Sequence, residues 1–241
     1  MGRGESNGGA RLRALVDMIP EGSRVADIGT DHALLPRILL EERRAAHCIA
    51  TEITPAALDR LQDRIGRFPL PATLELRAGD GLAPLLPSDR LDVLVLAGMG
   101  AGTQVAILSS PLRTGLGSCR LVLQPQGEPA VLRRWLAGNH YRIIAERLQE
   151  IRGFFHLTLA AIPHQRESPA DHPVLFSEDL MAAGPLLVRS GDPVVRRFWE
   201  IQLHRLRRLE AAGARGAGGK QAAEDRQQAK RVLEALPTDA L

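Results

Sequence analysis

The apolar positions of this chain switch repeatedly between the spacing of a strand and the spacing of a helix. Short apolar runs predict strands, and apolar residues three or four positions apart predict helices. Strands are predicted near 24–29, 46–52, 73–78, 91–98 and 119–124, and helices near 12–19, 32–44, 55–66, 102–110 and 128–138. Strands that alternate with helices are typical of a parallel sheet covered by helices. The sequence therefore predicts an α/β fold.

Two more apolar runs follow, at 141–149 and 154–162, with no helix between them. Gly153 supplies a break, so the pair is predicted to form a β-hairpin. A mostly parallel sheet that ends with one antiparallel strand is typical of Rossmann-like methyltransferases rather than of dinucleotide-binding domains. We expect this domain to span residues 1–163.

After Pro163 the pattern becomes helical. Residues 164–173 are polar and resemble a linker, a short helix is predicted over 177–183, and Gly184-Pro185 is expected to end it. Apolar residues then recur at helical spacing over 193–212, and a second helix is predicted over 220–236. The Gly-rich segment between them predicts a turn, so residues 164–241 are expected to form a helical, coiled-coil-like domain.

Charge is unevenly distributed along the chain. The net charge is +3, and the whole excess lies after residue 191, where ten Lys and Arg face seven Asp and Glu. Most of these cations are arginines, which make forked contacts with phosphate. Arg205, Arg207 and Arg208 are therefore expected to contact nucleic acid, although a solvated helical face of mixed charge is the alternative interpretation.

The two cysteines, Cys48 and Cys119, fall in predicted buried strands and lack the spacing of a metal site. They are typical of reduced core residues, which favours a cytoplasmic protein without a metal. No apolar run approaches the roughly 20 residues that span a bilayer, so no membrane partner is expected. The first nine residues lack the apolar core of a signal peptide.

The ends of the first two predicted strands carry the pattern of a cofactor site. The first run ends in Asp27 and Gly29, and the second ends in Glu52, an acidic residue suited to the two hydroxyls of a ribose. Asp31 and His32 occupy the turn that would bind a pyrophosphate in a dinucleotide site. A carboxylate repels phosphate but attracts ammonium and sulfonium groups, so the loop favours S-adenosyl-L-methionine.

The third strand is followed by Asp80, which is suited to the exocyclic amine of adenine, although an ordinary Asp-Gly turn has the same sequence. Asp31 and His32 are the catalytic candidates, with helix capping as the alternative for each. The expected cofactor-binding residues are Asp27, Gly29, Asp31, Glu52, Ile53, Asp80, Gly81, Ala97, Gly98 and Met99.

Strands four and five end in segments that suit a flat acceptor. Glycines in the segment 98–102 allow a ring to approach the backbone, and strand five offers amide and carbonyl groups. The expected substrate-binding residues here are Gly100, Gln124, Pro125 and Gln126. The chain has neither an Asn-Pro-Pro-Tyr clamp for an exocyclic amine nor a Pro-Cys nucleophile, which favours a ring nitrogen as the methyl acceptor.

Four motifs occur in a fixed order: Val-Ala-Asp-Ile-Gly-Thr-Asp-His-Ala-Leu-Leu-Pro from residue 25, Gly-Asp-Gly-Leu from 79, Ala-Gly-Met-Gly from 97 and Leu-Gln-Pro-Gln from 123. In this order they resemble the bacterial TrmK family. The resemblance implies a Rossmann-like domain with a C-terminal helical domain, and a tRNA (adenine-N1)-methyltransferase acting at position 22. Ala101 and Gln126 depart from the family's usual Gly and Asn.

The expected reaction is in-line attack of adenine N1 on the donor methyl, with Asp31 stabilising the positive charge that develops on the base. The expected partner is tRNA, and the expected state is a monomer. Two alternatives remain open. One is the same chemistry on another RNA or on a small metabolite, and the other is a non-catalytic RNA-binding protein with a vestigial donor pocket.

Overall fold

The computed structural model describes residues 7–30, 32–65, 73–111, 118–164, 177–211 and 217–237. Its centre is a seven-stranded sheet with the order β3-β2-β1-β4-β5-β7-β6. The strands are β1 (Ser23–Ile28), β2 (Ala45–Glu52), β3 (Leu74–Ala78), β4 (Val93–Gly100), β5 (Arg120–Gln126), β6 (Tyr141–Ile151) and β7 (Phe154–Pro163). Strands β1 to β5 are parallel, and β7 is antiparallel to both of its neighbours. The predicted Rossmann-like fold with an inserted antiparallel strand is confirmed.

Nine α-helices lie within the described residues. They are α1 (Asn7–Asp17), α2 (Leu34–Glu41), α3 (Pro55–Ile65), α4 (Ala101–Leu108), α5 (Pro129–Gly138), α6 (Glu178–Ala183), α7 (Pro185–Ser190), α8 (Pro193–Ala211) and α9 (Ala217–Ala235). Thr54 caps α3, because its hydroxyl accepts a hydrogen bond of 3.1 Å from the backbone N–H of Ala57. The predicted alternation of strands and helices is thus present.

The two faces of the sheet are covered by different helices. One apolar cluster joins α1 and α2 to residues such as Val25, Val95 and Val122. The other joins the opposite face to α4, α5 and the C-terminal helices, through residues such as Leu123 and Trp199. The C-terminal helices therefore share a core with the sheet.

Several element boundaries differ from the sequence prediction. Helix α2 begins at Leu34 rather than at 32, because Ala33 has a left-handed φ of 46° before it. The short helix predicted over 177–183 ends at Gly184 as predicted, but Pro185 begins a further short helix that the sequence did not indicate, since proline is well tolerated at the first helical position. Helix α9 begins at Ala217 rather than at 220, and the turn before it lies outside the described residues.

A buried ion pair attaches α6 and α7 to the sheet. The side chains of Arg133 and Glu146 are 1 % and 0 % exposed, and Arg133 Nε lies 2.7 Å from Glu146 Oε1. Arg133 also donates to the carbonyls of Met181 and Ala182, and Glu146 accepts from the N–H of Leu186. These bonds satisfy both charges and fix the start of the C-terminal helical region on the sheet.

Cys48 and Cys119 are both buried and free. Cys48 lies in β2 as predicted, and burial raises the pKa of its thiol to about 12. Cys119 immediately precedes β5 and donates to the Leu91 carbonyl at 3.0 Å. In the described part of the chain, no group of three or more potential ligands could hold a metal. No described helix has the length and apolarity needed to cross a membrane.

Candidate active site

The described cofactor-binding candidates, and the substrate-binding candidates of β4 and β5, lie at one edge of the sheet, where strands β1 to β5 end. The parallel registers bring Ile28 beside Thr51 and Leu96, and Glu52 beside Ala78. The order of the strands reverses between β1 and β4, which is where ligands bind in open α/β sheets. The candidate donor-binding and acceptor-binding segments therefore meet at this edge.

Asp27 is the buried carboxyl of the site. It is 5 % exposed, and the Thr30 hydroxyl donates a hydrogen bond of 2.7 Å to its Oδ2. Burial raises the pKa of Asp27 from 3.8 to about 6, and the charge of Glu52 adds to this rise. The Thr30 hydrogen bond and the guanidinium of Arg11 act in the opposite direction. The site therefore contains a desolvated carboxyl that a cationic ligand would stabilise in its ionised form.

The loop after β1 turns sharply at Gly29, whose φ is +72°. The backbone N–H groups of Gly29 and Thr30 both donate to the Thr51 carbonyl at 3.0 Å, which ties the loop to β2. His32 is exposed in a turn before α2, and its N–H donates to the Thr30 carbonyl. Asp31 lies outside the described residues, so its predicted role stays a prediction.

The adenosine side of the expected site lies at the ends of β2 and β3. Glu52 is half-buried as the last residue of β2 and acts electrostatically on Asp27, so the two carboxyls are near each other. Ile53 is 63 % exposed, and Asp80 is exposed two residues beyond β3. Gly81 has a φ of +53° in the same loop. The structure thus places these four predicted residues at the same sheet edge as Asp27.

Gly98 forms a bulge in β4. Ala97 pairs with Gln124 and Met99 pairs with Pro125, so Gly98 is an extra residue with a φ of +76°. Beyond it, β4 continues to Gly100, two residues farther than predicted. A Cβ atom added to Gly29 would lie 3.4 Å from Met99 Cε, so the bulge brings the Met99 side chain against the loop that follows β1.

Gln124 is held by two side chains from distant parts of the chain. It is 2 % exposed, its Oε1 accepts from Arg11 Nη1 at 2.9 Å, and its Nε2 donates to Thr158 Oγ1 at 3.2 Å. The predicted role in binding the substrate directly is not tested, but this geometry directs the amide into the protein. Pro125 is also buried, whereas Gln126 is exposed at the end of β5.

Arg11 is a site residue that the sequence pattern did not indicate. From α1 its guanidinium reaches across the ends of β4 and β5, and Nη1 lies 3.4 Å from the position of a Cβ added to Gly98. Its charge lowers the pKa of Asp27, and it adds to the effect of burial in lowering the pKa of His156. Arg11 therefore provides the site with a positive charge opposite Asp27.

The three predicted phosphate-binding arginines are exposed on α8 but do not share one face. At 3.6 residues per turn, Arg205 and Arg208 are about 60° apart, and Arg207 is about 160° from Arg205. Arg205 lines a groove of about 880 Å³ that begins at Gly127, next to the end of β5, and continues between α8 and α9.

The charge of this groove is mixed. Its described lining contains three arginines, Arg134, Arg205 and Arg231, together with four acidic residues. Arg134 forms an ion pair with Glu178, with 2.5 Å between Nη1 and Oε2. Arg231 is also paired, with Asp179 at 2.7 Å. The described lining of the groove therefore has nearly balanced charge, and any contact with RNA there depends on individual side chains.

Comparisons with a family model, with known sequences and with solved structures all identify the same family. A model of the family described as TrmK, tRNA (adenine(22)-N(1))-methyltransferase, matches residues 25–237. A tRNA (adenine(22)-N(1))-methyltransferase from Bacillus subtilis is 31 % identical over 193 residues, which are 80 % of each chain.

Two solved structures have the same fold over nearly the whole chain. The crystal structure of the B. subtilis m1A22 tRNA methyltransferase TrmK is 28 % identical with a TM-score of 0.79, and it covers 92 % of this chain and 97 % of its own. Sp1610 from Streptococcus pneumoniae, in complex with S-adenosyl-L-methionine, is 26 % identical with a TM-score of 0.79, covering 93 % and 98 %. With the family match over residues 25–237, these likenesses show that the chain belongs to the TrmK family of tRNA (adenine(22)-N(1))-methyltransferases.

Proposed function

We propose that this chain transfers a methyl group from S-adenosyl-L-methionine to N1 of adenine 22 in tRNA. The observation that carries the proposal is the buried carboxyl of Asp27, placed at the strand-order reversal with Glu52 on one side and Arg11 on the other. The B. subtilis relative is a tRNA (adenine(22)-N(1))-methyltransferase, and the similar S. pneumoniae structure is a complex with S-adenosyl-L-methionine.

The charges of the site match those of the donor. The ammonium of its methionine end would be stabilised by the carboxylate of Asp27, and its carboxylate by the guanidinium of Arg11. Glu52 would accept hydrogen bonds from the ribose hydroxyls, and Asp80 from the adenine amine. Gly29 and Met99 would border the donor between these two ends. All of these groups belong to one chain, so we propose that a monomer is sufficient.

The acceptor would enter over the ends of β4 and β5. The bulge at Gly98 and the exposed end of β5 at Gln126 leave backbone groups at this edge. When bound, the donor supplies a sulfonium methyl. The lone pair of neutral adenine N1 would form the new N–C bond as the S–C bond breaks, which leaves S-adenosylhomocysteine and a positively charged methylated base. The protein's contribution is then mainly orientation and electrostatic stabilisation. Arg11 would hold the Gln124 amide in place beneath the acceptor.

N1 of adenine is occupied in a Watson–Crick pair, so the base must be unpaired when it reacts. Extrusion from a duplex costs a few kcal/mol, which contacts with the tRNA must supply. We propose that the helices α8 and α9 bind the tRNA by shape, with Arg205 and Arg208 as the main phosphate contacts and Arg207 contributing less from the other side of α8. A cytoplasmic location follows from this substrate and agrees with two reduced, buried thiols.

Asp31 is proposed to stabilise the positive charge that develops on the methylated base, with His32 beside it. Asp31→Ala should abolish turnover while tRNA affinity is retained. His32→Ala tests the second catalytic candidate, which is exposed in the same loop. Full turnover by Asp31→Ala would exclude this carboxyl from the chemistry.

The decisive experiment incubates the purified protein with labelled S-adenosyl-L-methionine and unmodified tRNA, followed by nucleoside mass spectrometry. N1-methyladenosine that maps to position 22 is the expected product. Donor binding without any methylated nucleoside would contradict the proposal. A methylated small molecule formed from a metabolite extract would then identify the alternative acceptor class.

A further inference from the structure

The tip of the β6–β7 hairpin extends beyond the edge of the sheet where the site lies. Leu123 of β5 pairs with Leu159 of β7, and Gln124 and Thr158 are joined by a hydrogen bond. Continued along both strands, this antiparallel register places His156 level with Gln126, the last residue of β5. Phe154 is two residues farther, or about 7 Å beyond the edge.

Phe154 is an apolar ring that the fold leaves in solvent. Its side chain is 72 % exposed, the highest value among the large apolar residues that the structure describes. Within the described residues, neither Phe154 nor its neighbour Arg152 takes part in an ion pair or a ring contact. Aromatic residues make up only 3 % of this chain, and the other hairpin phenylalanine, Phe155, packs against Phe198 with ring centroids 5.1 Å apart. Stability of the fold therefore does not account for a ring at position 154.

The side of the sheet to which Phe154 belongs is also informative. Successive residues of a strand alternate between the two faces, and Ala160 lies in the cluster covered by α1. Thr158, His156 and Phe154 therefore follow on that same face. This face also carries Asp27, Gln124 and Arg11, and Arg11 acts electrostatically on both Asp27 and His156. A line of side chains thus leads from the candidate active site to the exposed ring.

The hairpin tip is rigid enough to hold a ring in place. Only Arg152 and Gly153 separate the paired residues Ile151 and Phe154, and both have positive φ, of 50° and 80°. Two positive φ values are the pattern of the tight turn that matches strand twist. On the opposite face, the Arg197–Glu150 ion pair at 2.7 Å supports the hairpin from α8.

We propose that Phe154 stacks on a nucleobase of the RNA beside the target adenine, and that the neighbouring Arg152 contacts the phosphate backbone of the RNA. The inference rests on the proposed function, because it assigns to the same site a contact for its tRNA substrate. A ring at this place would occupy the stacking surface that opens when the adenine leaves its neighbours. Stacking of a base on an aromatic side chain is sequence-tolerant and does not require a hydrogen bond.

The test compares tRNA and S-adenosylhomocysteine binding by the full chain and three variants. Phe154→Ala should raise the Kd for unmodified tRNA about tenfold, in line with alanine substitutions of stacking residues. Phe154→Trp should restore it. Leu86→Ala is the matched control, since Leu86 is 55 % exposed and lies near the Pro87–Asp89 turn that leads into the start of β4, at the opposite edge. All variants should bind S-adenosylhomocysteine as the wild type does.

A second readout uses the fluorescence added by Phe154→Trp, which saturating tRNA should quench if the ring stacks on a base. The proposal is overturned if Phe154→Ala binds tRNA within twofold of the wild type, or if it loses S-adenosylhomocysteine affinity in parallel. Failure of the proposed function looks different. In that case the wild type and Leu86→Ala would themselves show no methylation of tRNA.

Discussion

The buried pair of Arg133 and Glu146 allows a quantitative prediction. Glu146→Gln keeps the size of the side chain but leaves the Arg133 guanidinium without its counter-charge at 1 % exposure. Removing one partner of a buried ion pair typically costs about 3–5 kcal/mol. For a chain of this length, each kcal/mol corresponds to about 2–4 °C, so the thermal midpoint should fall by about 6–20 °C.

The chain provides a control with the same chemistry on the same helix. Arg134, the next residue of α5, pairs with Glu178, and these side chains are 46 % and 69 % exposed. Because exposed pairs contribute about 0–1 kcal/mol, Glu178→Gln should lower the midpoint by less than about 4 °C. Scanning calorimetry of the two variants and the wild type, without ligand, measures the difference. Equal shifts in the two variants would refute the reasoning.

The same pair predicts the effect of a change at Gly184. A Cβ atom added there would lie 2.6 Å from Arg133 Nη2 and 3.0 Å from both carboxylate oxygens of Glu146. Gly184 also has a φ of +93°, which a residue with a Cβ adopts only with strain. Gly184→Ala should therefore destabilise the attachment of α6 and α7 about as much as Glu146→Gln does, which the same calorimetry checks.

Three further predictions concern the site and the helices. Because the pKa of Asp27 is 3.8 when unperturbed and about 6 in the fold, its carboxyl ionises first in the unfolded chain, and roughly 3 kcal/mol of stability is lost as the pH rises through that interval. The thermal midpoint of Asp27→Asn, measured relative to that of the wild type, should therefore rise between pH 3.8 and about pH 6 and stay constant above pH 6. A difference in midpoint that does not change with pH would contradict the raised pKa of Asp27. Arg11→Ala should weaken S-adenosylhomocysteine binding about tenfold but leave 5′-methylthioadenosine, which lacks the amino-acid end, unaffected in calorimetric titrations; equal losses for both ligands would remove Arg11 from the donor carboxylate. Arg205→Ala should weaken tRNA binding and reduce the slope of log affinity against log salt concentration by about one. Arg207→Ala should have a smaller effect, since Arg207 lies on the other side of α8. Filter binding over a salt series measures both effects, and a larger effect at Arg207 would show that the opposite face of α8 contacts the RNA.

Much of the sheet could be predicted because its strands are short apolar runs separated by helices of regular spacing. That pattern is local, and it also predicted that Asp27, Glu52 and Asp80 would lie at the same edge. The end of the short helix at Gly184-Pro185 was predicted correctly, but α7 was not. Pro185 begins α7, because a missing N–H has no cost at the first helical position.

The acceptor side of the site was harder to predict for a physical reason. The sequence suggested free amide groups at the end of β5. In the structure the side chain of Gln124 is hydrogen-bonded to Arg11, which is 113 positions away in the sequence, and to Thr158, which is 34 positions away. Arg11 reaches the site only because α1 packs against β5, β6 and β7. No spacing within a short window of sequence contains such contacts, so they had to come from the tertiary structure.

The predicted boundary at residue 163 also has a different meaning in three dimensions. Trp199, Leu203 and Val232 belong to the same apolar cluster as Leu132 and Leu123 of the first domain. Deleting residues 192–241 would therefore uncover part of the sheet's core as well as remove arginines. Single substitutions on the surface of α8 separate RNA binding from folding more cleanly than truncation does.

The two buried thiols have a practical consequence for spectroscopy. The chain has only two cysteines, both buried, and the thiol of Cys48 has a pKa of about 12. Because the thiolate is the reactive species, maleimide reagents at neutral pH should leave the native Cys48 unmodified. A cysteine introduced at an exposed position of α8 or of the hairpin tip would then accept a dye selectively. The wild-type background is thus already suited to distance measurements between the protein and a labelled RNA.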